Sequence, residues 1–373
     1  MDATGRAAAL IDPDAVERNC RLLKGQVGAT TELCAVVKAN GYGHGGALCA
    51  AAALRGGASR LAVAAAFEAE ELRLHFTDAP ILVMGALTED ELRTALVAHA
   101  EVAVWREGFR RLCSEVAPEM GRPAAVHLKF DSGMGRLGER DPGRLIELAR
   151  ACAADDQLEI AGVWTHFATA DEPGDEFLGE QLAAFTPIAE AIRQLAPGCT
   201  VHAANSAATL RDPGTHLDMV RCGIAIYGLD PFHRDPSEHG LEPALELRSY
   251  VADVKRFEAG ASAGYGRTWF APRDTWVAVL PIGYGDGVRR GLSNNAEVLV
   301  AGRRYPLVGT VSMDNVTIDL GPETGVEPGA PAVLIGRQGA ERILAEEVAA
   351  RLETINYEVT CGISSRVPRR VRE

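Results

Sequence analysis

The sequence predicts an α/β fold in which a (β/α)8 TIM-like barrel is followed by a mostly β C-terminal domain. Short apolar runs alternate with amphipathic stretches from residue 33 to about residue 222, which is the order of a βα repeat. After about residue 235, strand patterns joined by glycine turns predominate. We therefore expect a barrel domain over residues 1–235 and a β domain over residues 236–373, with the first ~10 residues able to pair with the β domain.

Eight apolar runs are the strand candidates of the barrel: LCAVV, RLAVA, PILVM, EVAVW, AAVHLKF, LEIAGVWTHF, TVHAA and LDMVRCG. Continuous apolar runs of this length indicate strands covered on both faces, as in a parallel sheet. The spacers between them predict helices, and one of these opens with Thr88 and Glu91 in capping-box spacing. A doubly wound sheet would alternate in the same way, so the pattern leaves both architectures open.

The C-terminal part follows a Pro- and charge-rich stretch, LDPFHRDPSEHGLEP, which is typical of a linker. Its strand candidates lie in ALELRSYVADVKRF, TWVAVLPIGYG, AEVLVAGRRYPLVGTVSMDNVTIDL and GAPAVLIG. One helix is predicted near the end, in AEEVAARLET. This part is therefore expected to be mostly β.

Composition and charge restrict the class of function. The formal net charge of −13 argues against nucleic acid or an anionic membrane as the main partner. The sequence has no apolar run of membrane-spanning length and no signal-peptide pattern at its N-terminus. The eight cysteines show no C-x-x-C and no metal spacing, so we expect reduced thiols, no metal site and a cytoplasmic location.

Lys38 ends the first apolar run, in AVVKANGYGHGG. A lysine at a strand end ordinarily extends its amine to solvent, whereas a desolvated amine could form a Schiff base. The glycines after Lys38 also match the dinucleotide-binding pattern, which needs an acid at the end of the next strand. That strand candidate ends in alanines, and the same glycine spacing recurs in GMGRLG, so the dinucleotide interpretation is disfavoured.

Several polar residues follow the strand candidates: Lys38, Arg136, His166, Asn205, Ser206 and residues 221–224. Strand ends of this kind form the rim of a barrel on which active sites lie. Each residue alone has an ordinary explanation, such as a core histidine, a helix cap or a surface charge. Together, a lysine amine, backbone amides in RCGI and NS, and nearby tyrosines describe a pocket for pyridoxal 5'-phosphate.

Longer stretches carry a resemblance to one family: AVVKANGYGHG, HLKFDSGMGRLG, HAANSAATL, VRCGIAIYGL, SAGYGRT, PIGYGDG, GTVSMDNVTIDL and INYEVTCGISSRVPR. In this order they resemble the alanine racemase family, pyridoxal phosphate enzymes with a barrel and a C-terminal β domain. The resemblance implies alanine as substrate and a cytoplasmic homodimer with shared active sites. It also implies that the product, D-alanine, is supplied for peptidoglycan of the cell wall.

The resemblance also implies a role for each matching residue. Lys38 would carry the cofactor and act as a base on one face of the substrate, and Tyr265 would act on the other face. The matching phosphate-binding positions are Tyr42, Ser206, Gly223, Ile224 and Tyr357. The positions around the cofactor ring are Arg221, His166 and Asn205. The substrate-binding positions are Arg136, Met313, Asp314 and Tyr284, and Lys129 is a lysine that is often carbamylated in the family.

The chain departs from the family pattern at Thr310 and Ser312, where many members have arginine and cysteine. That arginine belongs to the access corridor, in which Asp171 and Arg290 occupy other positions. A broad-specificity amino acid racemase therefore stays open, as does a non-catalytic pyridoxal phosphate-binding protein. A decarboxylase of related fold is disfavoured, because it would have an acid in place of Arg221.

Overall fold

The computed structural model describes residues 5–372. These residues divide into two compact units. The barrel unit comprises Val16–Ile226 and His239–Leu241. The β unit comprises the described residues up to Ala15, Tyr227–Glu238, and the described residues from Glu242 on.

The strands of the described chain are, in order, β1 (Ala7–Ile11), β2 (Glu32–Val36), β3 (Arg60–Val63), β4 (Ile81–Val83), β5 (Ala100–Val104), β6 (Ala124–Lys129), β7 (Leu158–Trp164), β8 (Thr200–His202), β9 (Met219–Cys222), β10 (Leu245–Tyr250), β11 (Asp253–Phe257), β12 (Ser262–Ala263), β13 (Trp269–Phe270), β14 (Thr275–Leu280), β15 (Ala296–Val300), β16 (Arg303–Val308), β17 (Val316–Gly321), β18 (Pro331–Gln338), β19 (Glu341–Ile343) and β20 (Arg369–Val371).

The α-helices are α1 (Pro13–Val27), α2 (Lys38–Tyr42), α3 (Gly46–Arg55), α4 (Ala66–Arg73), α5 (Glu89–Val97), α6 (Glu107–Val116), α7 (Pro142–Ala153), α8 (Phe177–Leu195), α9 (Ser206–Arg211), α10 (Ala345–Arg351) and α11 (Asn356–Cys361).

Strands β2 to β9 form a closed barrel in which every neighbouring pair is parallel. The pairing of β9 with β2 closes the barrel. This confirms the predicted (β/α)8 barrel and shows that the doubly wound alternative is wrong. Each of the eight apolar runs overlaps one barrel strand, and β2 and β5 begin one residue before their runs. Residues such as Leu33, Leu61 and Leu128 are fully buried.

The helices between the barrel strands follow local sequence rules. The capping box predicted before α5 is confirmed, since the amide of Glu91 donates to the Thr88 hydroxyl and the Thr88 amide donates to the Glu91 carboxylate. In α6, Phe109 and Cys113 are buried on the same face, as residues four apart are in an α-helix.

The β unit is organised around one large sheet, with the strand order β11-β14-β17-β16-β15-β18-β10-β1-β20, and β19 pairs with β18. The N-terminal strand β1 pairs antiparallel with β10 and parallel with β20. Leu299, Val333 and Ile343 form part of its core. The predicted helix corresponds to α10, but the sequence interpretation missed α11, which is too short for a clear helical period.

The stretch predicted to be a linker begins inside the β unit. Asp230 is fully buried, and its carboxylate accepts hydrogen bonds from the amides of Phe232 and Arg234 at 3.0 and 3.1 Å. The amide of Asn356 donates to the Asp230 carbonyl at 2.8 Å. The beginning of this stretch is therefore a packed turn, because its polar groups are satisfied within the fold.

Between residues 5 and 372, no helix combines the length and the apolar character needed to cross a membrane. The same residues contain no group of three or more His, Cys, Asp or Glu side chains suited to a metal ion. Seven of the eight cysteines are buried, and no disulfide joins any cysteine of the described chain.

Candidate active site

Lys38 follows β2 after one residue, Val37, at the rim formed by the C-terminal ends of the barrel strands. It begins the short segment α2, in which Ala39 and Asn40 have left-handed backbone angles, with φ of 53° and 52°. Such angles are unfavourable for a residue with a Cβ and are found where the surroundings hold the chain in place. The Ala39 amide donates to the Glu68 carboxylate at 2.6 Å, and the Lys38 amine lies 6.0 Å from the centre of the Tyr42 ring.

The predicted phosphate-binding residues of the barrel unit meet at the end of β9. The Ser206 hydroxyl accepts hydrogen bonds from the amides of Gly223 and Ala225, at 2.9 and 3.3 Å. A Cβ on Gly223 would lie 2.4 Å from the hydroxyl of Tyr42. Only glycine therefore allows this hydroxyl so close to the backbone at the start of the 3-10 turn Ile224–Tyr227.

Arg221 is buried in β9, with only 3% of its surface exposed. Its guanidinium donates to the carbonyls of Thr165 and Ala203 at 3.0 and 2.9 Å. It also donates to Nδ1 of His202 at 2.8 Å and to Nδ1 of His166 at 3.2 Å. Burial lowers the pKa of Arg221 to about 10, so the group still carries its proton at neutral pH.

Several positively charged side chains lie close enough to His166 to affect its pKa. Burial lowers the pKa of its imidazole well below the usual value, and the charges of Arg221, Arg136, Lys129 and Lys38 lower it further. His166 therefore stays neutral at physiological pH. This shared influence places these predicted barrel-unit residues within one electrostatic environment, although Arg136 itself is exposed in the segment after β6.

Lys129 is buried at the end of β6, with 3% of its surface exposed. Burial lowers the pKa of its amine to about 7, and the nearby charges of Arg221 and Arg136 contribute. A substantial fraction of this amine is therefore neutral, and so nucleophilic, at neutral pH.

Trp164 was missed by the sequence analysis. The Lys129 amine lies 4.1 Å from the centre of its indole ring, and the Arg221 guanidinium lies 4.7 Å away. The ring also stacks on His202, with centroids 5.7 Å apart. An aromatic ring attracts cations over its face. The one sequence feature that pointed to Trp164 was its position at the end of a predicted barrel strand.

Asn205 follows β8 and is the N-cap of α9, where its side-chain oxygen accepts a hydrogen bond from the Ala208 amide at 3.0 Å. Asn205 therefore acts as a helix cap, which is the ordinary explanation that the sequence offered for it.

In the β unit, the segments GYGDG and VSMDN are joined by backbone hydrogen bonds. The Tyr284 amide donates to the Ser312 carbonyl at 3.0 Å, and the Gly285 amide donates to the Met313 carbonyl at 2.9 Å. Tyr265 and Met313 are 74% and 51% exposed in the single chain, and Tyr284 is also exposed. These side chains are therefore presented on the surface of the β unit.

Thr310 supports the turn that carries Tyr265. Its hydroxyl donates to the Tyr265 carbonyl at 2.8 Å. Ser312, the other departure from the family pattern, donates its hydroxyl to the Asn315 carbonyl at 2.7 Å. Both residues therefore have hydrogen-bonding roles in holding their loops.

Asp314 accepts a hydrogen bond from Arg366 at 2.6 Å, and a weaker one from Arg6 at 3.5 Å. The hydrogen bond from Arg366 holds the pKa of Asp314 below its usual range. Arg6 also pairs with the buried carboxylate of Asp286, which accepts from the Gly283 amide at 2.9 Å. Asp286 was not singled out from the sequence, although it stabilises the turn that contacts Met313.

Tyr357, the predicted phosphate-binding residue of the β unit, lies on α11. Its ring is 6.5 Å from that of His233, in an edge-to-face arrangement. The predicted site residues are thus distributed over both units.

Comparison with known proteins extends the resemblance to almost the whole chain. Residues 11–231 match the family described as alanine racemase, N-terminal domain, and residues 244–371 match alanine racemase, C-terminal domain. The chain is 43% identical over 370 residues to an alanine racemase of Symbiobacterium thermophilum, covering 99% of this chain and 98% of the relative. It is 41% identical over 364 residues to one of Desulforamulus reducens, covering 96% and 97%.

A solved structure shows the same similarity in three dimensions. The crystal structure of alanine racemase from D-cycloserine producing Streptomyces lavendulae matches with a TM-score of 0.94 at 37% identity, covering 99% of this chain and 97% of that one. Sequence identity of this extent, together with the same architecture over both units, leaves one assignment. The chain belongs to the alanine racemase family.

Proposed function

We propose that this enzyme interconverts L-alanine and D-alanine with pyridoxal 5'-phosphate, using Lys38 and Tyr265 as two bases. The observation that carries the proposal is the buried Arg221 guanidinium at the barrel rim, which donates to His166 and shares the Trp164 ring with the Lys129 amine. Racemisation requires that a proton be removed from one face of Cα and returned to the other. One base on each face is sufficient for this exchange.

The barrel rim fits pyridoxal phosphate. The close approach of the Tyr42 hydroxyl to Gly223 depends on the missing Cβ. The Ser206 hydroxyl accepts from the amides of Gly223 and Ala225, so it has its own proton to donate to a phosphate. We assign the phosphate to Tyr42, Ser206, Gly223 and Ile224, with Tyr357 as a further hydroxyl. When bound, pyridoxal phosphate withdraws electrons from the substrate and makes its Cα proton more acidic.

Lys38 is proposed to carry the cofactor, and Arg221 to donate a hydrogen bond to its ring nitrogen. Because Arg221 keeps its own proton at neutral pH, the ring nitrogen would receive a hydrogen bond without becoming protonated. His166 and Asn205 are assigned to positions beside the ring.

Arg136 and the backbone amide of Met313 are proposed to bind the substrate carboxylate, with Asp314 and Tyr284 lining the pocket. A guanidinium can hold a carboxylate through two parallel hydrogen bonds, which orients the substrate as well as binding it. The Met313 loop is held by the backbone bond from Gly285. The carboxylate would thereby be held by one charged group and one fixed amide.

Lys129 is proposed to be carbamylated. Its pKa of about 7 leaves neutral amine available at physiological pH, and this amine can add CO2 to give a carbamate and release one proton. The modification would replace a buried cation near Arg221 and Arg136 with an anion, and so relieve like-charge repulsion. A carbamate could then orient Arg136 through a charge-assisted hydrogen bond.

Carbon-13 bicarbonate should therefore give a carbamate NMR signal in the wild-type protein that is absent from Lys129→Ala. The variant should lose activity, and small carboxylic acids should partly restore it. An unmodified Lys129 amine in a fully active enzyme would contradict this assignment.

The active site is proposed to be shared between two copies of the chain. Tyr265 and Met313 are largely exposed in one chain, whereas catalytic groups act best when water is excluded. In a two-fold homodimer, the partner's β unit would close each barrel, and two identical sites would result. Each site would then take Lys38 from one protomer and Tyr265 from the other.

Subunit exchange tests this arrangement. Equal amounts of Lys38→Ala and Tyr265→Ala chains should give mixed dimers in which one of the two sites carries neither change. Roughly a quarter of wild-type activity should then return. If confirmed exchange restores no activity, each chain must build its site alone.

The proposed function itself is tested by incubating the purified protein with a panel of L-amino acids and following the optical rotation. Racemisation of alanine alone supports the proposal, whereas racemisation of many amino acids favours the broad-specificity alternative. Borohydride reduction should fix the cofactor to Lys38, and fixation to Lys129 or Lys255 would refute that assignment. Cofactor binding without racemisation would indicate the non-catalytic alternative.

We place this activity in the cytoplasm, with D-alanine as the precursor for peptidoglycan and no nucleic acid or membrane partner. The net charge of −13 supports the absence of a polyanionic partner.

A further inference from the structure

A line of buried polar side chains extends from Arg221 to the opposite end of the barrel strands. Arg221 contacts His202, whose Nε2 lies 2.9 Å from Nδ1 of His127. Nε2 of His127 lies 2.7 Å from the Glu101 carboxylate, which also pairs with Arg60. Both histidines are fully buried, and Glu101 lies near the start of β5. None of the roles proposed above uses these inner side chains.

Only one arrangement of protons satisfies this line. A guanidinium has no acceptor, so Nδ1 of His202 must accept the hydrogen bond from Arg221. Burial and the Arg221 charge lower the pKa of His202 well below its usual value, so the ring is neutral and its proton is on Nε2. That proton is donated to Nδ1 of His127, which leaves Nε2 of His127 to donate to Glu101.

The far end of the line is an anion. Burial alone would raise the pKa of Glu101, but the hydrogen bond from His127 and the pairing with Arg60 hold it below its usual range. Each hydrogen bond therefore points away from Arg221 and towards Glu101. Reversing either histidine would place two donors, or two acceptors, against each other within a buried site, which is unfavourable.

We propose that His202, His127 and Glu101 are positioning residues that orient the Arg221 guanidinium through a one-way hydrogen-bonded relay. The relay connects the buried cation to a carboxylate at the other end of the barrel. It holds one edge of the guanidinium, while the Thr165 and Ala203 carbonyls hold another. This inference deepens the proposed function, because it rests on the assignment of Arg221 to the cofactor ring nitrogen.

Nitrogen-15 NMR of histidine-labelled, cofactor-free, full-length protein tests the relay directly. Single replacements of His127 and His202 by glutamine assign the signals. Both rings should be neutral, with the proton on Nε2 and a bare Nδ1. A proton on Nδ1 of either ring would overturn the proposal. Because this measurement needs neither cofactor nor turnover, it remains decisive if the enzyme proves not to racemise alanine.

Substitution at the far end separates positioning from general stability. Glu101→Gln removes the terminal charge, whereas Glu32→Gln is a matched control, since Glu32 also pairs with Arg60, at 3.7 Å. Glu101→Gln should shift the His127 nitrogen signals and lower kcat for alanine roughly 10-fold, the lower end of the losses found when the hydrogen-bond partners of metal ligands are removed. KM should change little, because the relay contacts no substrate atom.

Glu32→Gln should leave the histidine signals and kcat unchanged. Equal losses of kcat in the two variants, or unchanged His127 signals in Glu101→Gln, would overturn the relay. If Glu101→Gln does not fold, the proton positions in the wild-type protein still decide the matter.

Discussion

Replacing Lys129 with methionine should remove a pH-dependent loss of stability. The Lys129 amine is buried and lies over the Trp164 ring. Methionine is unbranched and of similar length, so it can occupy the same space without a charge. The substitution therefore isolates the ionisation of the amine from the packing of its side chain.

The magnitude follows from the lowered pKa. The pKa of the Lys129 amine falls from 10.5 to about 7 on folding. At ~1.4 kcal/mol for each tenfold change in proton affinity, a protonated Lys129 lowers the free energy of unfolding by about 5 kcal/mol. Between these two values the unfolded chain binds more protons than the folded one, so the free energy of unfolding rises with pH. The free energy of unfolding should rise by about 2 kcal/mol between pH 7 and pH 9. Below pH 7, the whole destabilisation caused by the buried charge should apply.

Urea unfolding of the cofactor-free protein at pH 7 and pH 9 measures this effect. The buffers should be free of CO2, so that no carbamate forms. The protein concentration should be constant, because the stability of the proposed dimer would depend on it. Lys129→Met should show less of a rise with pH than the wild type. Lys255→Met is the control, since Lys255 is 61% exposed. The same rise in all three proteins would refute the lowered pKa.

Three further substitutions have distinct expected outcomes. Gly223→Ala would place a Cβ 2.4 Å from the Tyr42 hydroxyl and should therefore weaken retention of the cofactor. Absorbance after dialysis measures the retained cofactor, and full retention would show that the barrel rim can adjust. Thr88→Ala breaks the exposed capping box with Glu91 and should cost about 1 kcal/mol of stability in urea without changing kcat. Asp286→Asn removes a buried charge that pairs with an arginine and should raise KM for alanine; an unchanged KM would separate this residue from the substrate loop.

Local patterns in the sequence were enough to identify the eight strands of the barrel and the helices α3 to α8, but not α1, α2 or α9. Strands with both faces buried must be apolar throughout. The eight runs were therefore recognisable from their own residues, without knowledge of the strands that pair with them. The Thr88 capping box depends on residues three positions apart, and it was predicted correctly. The short helix α11 was not, since six residues carry too little periodicity.

The line from Arg221 to Glu101 could not be predicted in this way. His127 and His202 are 75 residues apart in the chain, and each appeared only as one polar residue within an apolar run. The role of Trp164 could not be predicted either, because it depends on the stacking of its ring on His202 and on the Lys129 amine over its face. Such contacts exist only when particular strands lie side by side or face each other.

The sequence by itself determined the barrel strands, most of the helices between them, and which polar residues follow the strand ends. These properties depend on spacing along the chain, and on the rule that parallel strands end at the same rim. Only the tertiary structure decided that β9 pairs with β2 and closes the sheet into a barrel, because an open sheet has the same alternation of elements. That closure buries Arg221 beside two histidines and Trp164, and the resulting low-dielectric surroundings set the pKa values on which the proposed chemistry depends.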